Sequence, residues 1–271
     1  MSGPFISFLT DFGGHTAAAV CRGVIWTIAP DARILDLTHS VRQFAVGDGA
    51  FLLWSAAPFL PVGVHLAIVD PGVGTPRRPI ALRTGRGDLM VGPDNGLLIP
   101  AAERLAGIVT ARELTNRELM RVEVSRTFHG RDLFAPIAAH LANGVPLEEV
   151  GPPVDASGLI RLELPAPAVV DGRFETSVLF VDTFGNCRLA GGSDDLIALT
   201  GGAPAQSGYR LRIGTEEVRA PWVETFGEVE PGAPLLYEDA DYAGLALGVN
   251  QGSAAERFGL DSGAAISIEP V

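Results

Sequence analysis

Phe5-Ile6-Ser7-Phe8-Leu9 is a short, nearly apolar run that ends in Thr10-Asp11-Phe12-Gly13-Gly14, the pattern of a buried strand feeding a glycine turn. Ala17 to Ala29 then places apolar residues at helical spacing and stops at Pro30, which cannot continue a helix. Arg33 to Leu37 reads as a second strand, Val46 to Phe59 as a second helix and Val64 to Val69 as a third strand. A β-α-β-α-β order predicts a mainly parallel central sheet with helices on its faces. Ile80 to Arg83 and Leu89 to Val91 extend the sheet, and Gly92-Pro93-Asp94-Asn95-Gly96 makes another turn. Arg131 to Ala142, apolar at Leu133, Phe134, Ile137, Ala138 and Leu141, predicts an amphipathic helix capped by Asn143-Gly144.

The texture then changes. Gly151-Pro152-Pro153 and Leu164-Pro165-Ala166-Pro167 bracket a stretch without helical periodicity. Beyond it come short β-like runs at Ser177 to Val181, Tyr209 to Ile213, Pro234 to Tyr237, Gly244 to Val249 and Ala264 to Ile268, separated by turn signals. The expectation is an α/β N-terminal domain over residues 1–150, a linker over 151–172 and a small all-β barrel C-terminal domain over 173–271.

Composition narrows the function classes. The 271 residues are 47% hydrophobic and 19% charged, with 33 Gly and 20 Pro, which suits a turn-rich globular protein long enough to bury its core without staples. A net charge of −12 with no basic stripe excludes a nucleic-acid partner. Cys21 and Cys187 are far apart and lack ligand spacing, so neither a disulfide framework nor a metal site is expected. Pro58, Pro61, Gly63 and His65 break the apolar stretch from Trp54 to Val69, so no membrane span is expected, and the expected location is the cytoplasm.

Asp11 sits where the first strand ends, the edge at which open α/β sheets bind ligands; it reads equally as a ribose-diol acceptor or as a helix N-cap. Asp70 ends the third strand in the same way, and the tight turn Pro71-Gly72-Val73-Gly74 brings Arg77 within reach of it, either as part of a site or as a loop-fixing ion pair. His129 lies in Phe128-His129-Gly130-Arg131-Asp132 just before a helix, where an imidazole is either structural or a general base. Asp132 reads as a first-turn residue favoured by the helix dipole, and the other four histidines read as structural. In the second domain, Asp182-Thr183-Phe184-Gly185-Asn186 combines an acid, an aromatic and an amide, able to hold an ammonium, stack on a base and read its edge, or simply to make a β-turn. Phe226 is a further candidate stacking face or a core residue.

Taken together, Thr10-Asp11-Phe12-Gly13, Asp70-Pro71-Gly72-Val73-Gly74-Thr75, Gly92-Pro93-Asp94-Asn95-Gly96, Phe128-His129-Gly130-Arg131-Asp132 and Asp182-Thr183-Phe184-Gly185-Asn186 resemble, in order and over nearly the whole chain, one family. It is the S-adenosylmethionine hydrolases, or hydroxide adenosyltransferases, homologous to fluorinases and chlorinases. The resemblance implies hydrolysis of S-adenosylmethionine to adenosine and L-methionine, with that compound as substrate and no cofactor or metal. It also implies a homotrimer whose active sites lie at subunit interfaces, between the first domain of one subunit and the second of its neighbour.

Carried over by position, Asp70, Arg77 and His129 match the set that positions and activates water. Asp11 matches the ribose-diol carboxylate and Phe44 an aromatic near the ribose, with Val73, Phe128 and Gly130 also at the substrate. Asp182 matches a ligand of the methionine amine, and Phe184, Asn186 and Phe226 match residues around adenine. Halogenating relatives lack the Asp-Arg-His set, carry serine where Gly130 stands and usually have an extra loop after the third-strand motif, so the resemblance favours water over halide. A module that merely binds the ligand would keep Asp11, Asp182 and Asn186 without needing Asp70, Arg77 and His129. The chain departs from the family pattern at His15-Thr16, which replaces acidic residues, and at Asp241-Tyr242, which replaces the turn that commonly holds the methionine carboxylate. That contact is expected to shift to backbone amides or Tyr242.

Overall fold

Strand β1 (Phe5–Thr10) sends Ile6 and Phe8 to one side and Leu9 to the other, and all three are fully buried. A strand dry on both faces must lie inside a sheet covered on both sides. The structure is a computed structural model and describes residues 3–162, 166–200, 208–239 and 244–271. The chain divides into two units, Met1–Leu162 and Glu163–Val271.

In the first unit β1 is followed by α1 (Ala17–Ile28), β2 (Arg33–Thr38), α2 (Val46–Ala56), β3 (Val64–Ile68), β4 (Pro79–Thr84), β5 (Leu89–Pro93), α3 (Ile99–Arg104), β6 (Ile108–Glu113), α4 (Ala135–Ala142) and β7 (Pro153–Val154). The sheet order is β2-β1-β3-β5-β4-β6-β7. Helices α1 and α4 cover the face of Ile6, Phe8, Leu66 and Ile68. The opposite face, carrying Leu9, Ala67 and Val69, packs against α2 and α3.

The expectation of a mainly parallel sheet needs correction. β1, β2, β3 and β5 pair in parallel, but β4 runs antiparallel to both β5 and β6, and β6 to β7, so the sheet is mixed. The reason is connection length: the few residues of Gly85-Arg86-Gly87-Asp88 between β4 and β5 allow a hairpin and no helical crossover. Two predicted helices are also modified. Val46 to Phe59 becomes α2 followed by a 3-10 turn at Ala57–Phe59, and the first turn of the predicted 131–142 helix is a π-helical turn, Gly130–Phe134. In the stretch expected as a linker, Pro153–Val154 pairs with β6 in the first unit.

At the sheet end away from the carboxyl ends of β1 and β3, a polar chain is sealed inside. Ser7 Oγ lies 2.8 Å from His65 Nδ1, and His65 Nε2 lies 3.0 Å from Asp88 Oδ1; all three residues are 0% exposed. Arg86 donates to both Asp88 oxygens, at 2.7 and 2.9 Å, and to the carbonyls of Pro58 and Ala57 after α2. Burial alone would raise the Asp88 pKa, but the His65 and Arg86 hydrogen bonds outweigh it and hold the carboxyl well below the usual range.

The second unit comprises β8 (Ala168–Val170), β9 (Arg173–Val181), β10 (Cys187–Leu189), α5 (Ser193–Thr200), β11 (Tyr209–Ile213), β12 (Glu216–Ala220), β13 (Pro234–Asp239), β14 (Gly244–Val249), α6 (Ala254–Phe258) and β15 (Ala265–Pro270). Its antiparallel strands run in the order β12-β11-β15-β9-β10-β14-β13, with β8 on β9. Trp222, just past β12, bridges Leu236 of β13, so the sheet ends approach one another in a nearly closed, barrel-like form around Phe174, Tyr209, Leu236 and Ile266. The unit is not all-β as expected. Helix α6, capped by Ser253 and by Gly259 at φ +63°, has five residues, too few to show a helical period; α5 has eight. Burial pushes the thiols of Cys21 and Cys187 up to about 12. Among the described residues no helix is long and apolar enough to cross a membrane.

Removing Asp88 would leave Arg86 and His65 facing an emptied polar pocket. Asp88→Ala is expected to lower stability by about 3 kcal/mol, read as a urea midpoint shift. Because the folded-state pKa of Asp88 is depressed, its contribution is complete above the unfolded carboxyl pKa of about 3.9. It is lost as pH falls below that value toward the folded-state pKa, so wild type and variant should converge in acid.

Candidate active site

Thr10 pairs directly with Ile68 in the parallel β1·β3 ladder, so Asp11 and Asp70 leave adjacent strands at the same edge. The reversed direction of β4 brings a third residue there. Pro79 pairs with Pro93 at the carboxyl end of β5, which places Arg77, just ahead of β4, beside the end of β3. The turn between them is tight: Val73 N donates to Asp70 O at 3.2 Å, Thr75 Oγ1 donates to Gly72 O at 2.7 Å, and Gly74 holds φ +79°. A Cβ on Gly74 would meet Arg126 O at 2.8 Å, so glycine is required both by conformation and by space.

Arg77 joins the two other candidate residues. Its Nε lies 2.9 and 3.0 Å from the Asp70 oxygens, its Nη2 also donates to Asp70 Oδ2, and Nη2 lies 2.9 Å from His129 Nδ1. The side chains of Arg77 and Asp70 are 9% and 7% exposed, and the guanidinium lies over the Phe134 ring. A guanidinium has only donors, so Nδ1 of His129 must accept, and the neutral ring carries its proton on Nε2. Burial first, and the positive charge of Arg77 second, push the His129 pKa below its ordinary value, against a smaller opposing pull from Asp70 and Asp132.

Sequence reasoning underrated Asp132. It is fully buried and accepts from Arg131 Nε at 2.6 Å, Arg131 Nη2 at 2.9 Å and the Ser125 amide at 2.9 Å, with Arg121 Nε at 3.3 Å. Burial opposes its charge, yet the hydrogen bonds from Arg131 and Ser125 hold its pKa at about 2. It therefore fixes the segment that carries His129 into the π-helical turn. Gly130 is also confined: a Cβ there would meet Phe12 Cζ at 2.9 Å and Ile68 Cδ1 at 3.5 Å. Phe12 in turn packs edge-on against Phe128 at 5.9 Å. Two further supports come from the Gly92–Gly96 turn, whose sequence was the available signal. Asn95 Nδ2 donates to Val69 O at 2.8 Å, and Asp94 accepts from Arg78 Nε at 2.9 Å, steadying the residues beside Asp70 and Arg77.

Asp11 is not a helix N-cap. Its Oδ2 accepts from Phe44 N at 3.0 Å and helps hold Phe44 at φ +65°, a conformation costly for a residue with a Cβ. The Phe44 ring is left 68% exposed. Val73 is half-buried in the Asp70–Arg77 turn.

The second unit holds a cavity of about 770 Å³, lined among others by Asp182, Phe184, Asn186, Arg188, Phe226 and Asp239. Asp182 organises its own turn: Oδ1 accepts from Phe184 N at 2.8 Å and Asn186 N at 3.0 Å, and Oδ2 from Asn186 Nδ2 at 3.0 Å. Gly185, at φ +82°, lies against Ser253 and leaves no room for a side chain. Phe184 is thereby turned outward, 76% exposed, while Phe226 packs on Tyr237 at 5.0 Å. Arg188 and Asp239 carry no sequence signal of a site: Arg188 is a polar position between the core residues Cys187 and Leu189, and Asp239 is an acid that ends β13 after the exposed Glu238. Tyr242, expected near the methionine carboxylate, lies outside the described residues, as does Asp241.

A half-buried acid–guanidinium–imidazole trio, its acid and guanidinium at strand ends and its imidazole ahead of a π-helical turn, followed in the same chain by a barrel-like unit with an aromatic and polar cavity, defines a two-domain α/β enzyme for a small molecule. The family models described as SAM hydroxide adenosyltransferase N-terminal domain and C-terminal domain match residues 6–151 and 176–267, and the chain belongs to this family. The (R)-S-adenosyl-L-methionine hydrolase of Salinispora tropica is 46% identical over 261 residues, covering 96% of this chain and 95% of that protein. A fluorinase of an Actinoplanes species is more distant, 29% identical over 98% of this chain and 97% of its own. The crystal structure of an uncharacterized conserved protein from Thermotoga maritima matches with a TM-score of 0.90 at 37% identity, over 97% of this chain and 99% of that one.

The hydrogen bond from Arg77 makes a spectroscopic expectation. ¹⁵N NMR of labelled histidine should find His129 as the Nε2-protonated tautomer, with a titration midpoint below the ordinary value of about 6.5. In Arg77→Met the midpoint should move upward, because the repelling cation is gone while Asp70 remains.

Proposed function

We propose that this chain hydrolyses S-adenosyl-L-methionine to adenosine and L-methionine by in-line attack of water on the ribose C5′. The names of the nearer relatives add an R descriptor, and since L already fixes the α-carbon, we assign R to the sulfonium centre of the substrate. The observation that carries the reading is Arg77 held between Asp70 and His129 at the edge that also bears Asp11.

The chemistry asks little of the protein. As C5′–O forms, C5′–S breaks and its electron pair returns to sulfur, so methionine leaves as a neutral thioether; no general acid, metal or cofactor is needed. Attack by neutral water gives a protonated 5′-hydroxyl, which is strongly acidic, so a carboxylate suffices as base. His129 has its Nδ1 occupied by Arg77 and offers an Nε2–H donor that orients the water. Asp70 is then the member of the trio that accepts the proton, and Asp132 is a positioning residue. Asp11 and Phe44 hold the ribose with Val73 and Phe128 nearby, while Phe184, Asn186 and Phe226 surround adenine and Asp182 receives the ammonium.

The two halves of this residue set lie on different units, and we propose a homotrimer in which the first unit of one subunit and the second of its neighbour complete each site. Two free, buried cysteines suit a reducing compartment, and the cytoplasm is the proposed location. Halide transfer is disfavoured by Gly130, where a serine would press on Phe12.

Chromatography after incubation with the R sulfonium, with and without chloride or fluoride, should show adenosine and methionine regardless of halide; unchanged substrate or a 5′-halo product would overturn the reading. Asp70→Asn and His129→Ala should each lower kcat by about 10²–10⁴-fold with KM little changed. Light scattering should give three times the mass of the chain.

A further inference from the structure

Two loops meet beside Asp11, and one side chain that ties them belongs neither to the trio nor to the residues proposed around the ribose. Thr10, fully buried, accepts from Phe12 N at 3.2 Å through Oγ1, and the same Oγ1 lies 3.0 Å from His39 Nδ1. We propose that His39 is a positioning residue for ribose recognition: it holds the Thr10 hydroxyl and, through it, the backbone that carries Asp11. The assignment rests on the hydrolase reading above.

The proton positions follow from the neighbours. Asp36 Oδ1 lies 3.1 Å from His39 Nε2, and a carboxylate presents only lone pairs, so the neutral ring carries its proton on Nε2 and Nδ1 accepts. The Thr10 hydroxyl therefore directs its single proton to Nδ1 and keeps its lone pairs for Phe12 N. That second bond closes a side-chain turn across residue 11 and fixes the peptide units on either side of Asp11. The backbone repeats the connection between the loops: Gly13 N donates to His39 O at 2.6 Å, and Val41 N to Thr10 O at 3.3 Å. Asp11 Oδ2 in turn accepts from Phe44 N, in the loop that follows His39. A carboxylate that receives two ribose hydroxyls must face them squarely, so a small rotation of this backbone is felt at the ligand.

Packing alone does not account for the orientation of the ring. The His39 side chain is 15% exposed, and its buried Nε2 has no hydrogen-bond partner, because Asp36 Oδ1 stands off the N–H axis while Asp36 pairs with Arg22. An unpaired buried donor is costly. The ring tolerates it at Nε2 while Nδ1 stays on Thr10, whereas the edge-on contact with Phe8, 4.8 Å between centroids, asks only for an aromatic ring.

The test compares the R sulfonium with its 2′-deoxyribose analogue, as the ratio of their kcat/KM values. His39→Asn sets an amide oxygen where Nδ1 stands and removes the ring; His39→Phe keeps a ring against Phe8 and removes the acceptor. Wild type should prefer the substrate with the intact diol by about tenfold or more, and Asp11→Ala should lose that preference. His39→Phe should reduce it about fivefold, as should Thr10→Val, which lacks the hydroxyl, while His39→Asn should largely keep it. A packing role for His39 predicts the opposite order of Asn and Phe, or equal losses on both compounds. A preference lost in Asp11→Ala but kept in His39→Phe and Thr10→Val would overturn the role of His39 alone. If His39→Phe fails to fold, Thr10→Val and His39→Asn decide. No preference in wild type, or one retained in Asp11→Ala, would overturn the ribose role of Asp11 and that of His39 with it, leaving hydrolysis standing. Turnover of neither compound by wild type would overturn the hydrolase reading and the assignment that rests on it.

Discussion

A guanidinium donates hydrogen bonds and never accepts them, and at Arg77 this asymmetry governs everything around it. Asp70 takes two of its nitrogens, His129 takes one through Nδ1, and Phe134 presents the face of its ring. With that cation nearly buried, the imidazole is discouraged from charging and its tautomer is set without any further partner. The rest of the first unit supports the position of one side chain. Gly74 gives the close turn, the antiparallel β4 returns the chain to the right edge, Asn95 ties down the residue before Asp70, and Asp132 anchors the segment bearing His129.

How much of this was legible in the chain depends on the range of the signal. The strands β1 and β3 and the helix α1 were read because their apolar patterns are local and long. The direction of β4 was missed because β-α-β repetition was extrapolated past the short connection that forbids a crossover. Asp70, Arg77 and His129 stood out through their glycine neighbours, although their convergence is a long-range fact: 52 residues separate Arg77 from His129. Asp132 was read as dipole decoration because nothing in Arg131-Asp132 shows that the carboxylate is buried and gathers Arg131, Arg121 and Ser125. The π-helical turn at Gly130–Phe134 is invisible to a 3.6-residue period.

The second unit follows another logic. Its core side is closed by alternating apolar residues, and the outward positions of β10 and β13 carry the charges. The Asp182 turn is rigid because its acid is its own scaffold, so Phe184 is presented by backbone geometry and not by packing. Phe44 in the first unit is presented in a comparable way, its unusual backbone angle leaning on the Asp11 carboxylate. In both places an aromatic ring is left in solvent by a structure that spends hydrogen bonds to keep it there.

The chain Ser7–His65–Asp88 has the bond lengths of a serine hydrolase triad, whereas the residues proposed above for hydrolysis are quite different ones. It joins β1, β3 and the start of β5 and is closed by Arg86, with no surface open to any solute. The same three residue types that elsewhere activate a serine are here a tie-rod between strands, with the two imidazole nitrogens exchanged in role. Interatomic distances alone would favour this buried constellation over the Asp70–Arg77–His129 trio proposed for the reaction; what separates machinery from masonry is whether a reactant can arrive.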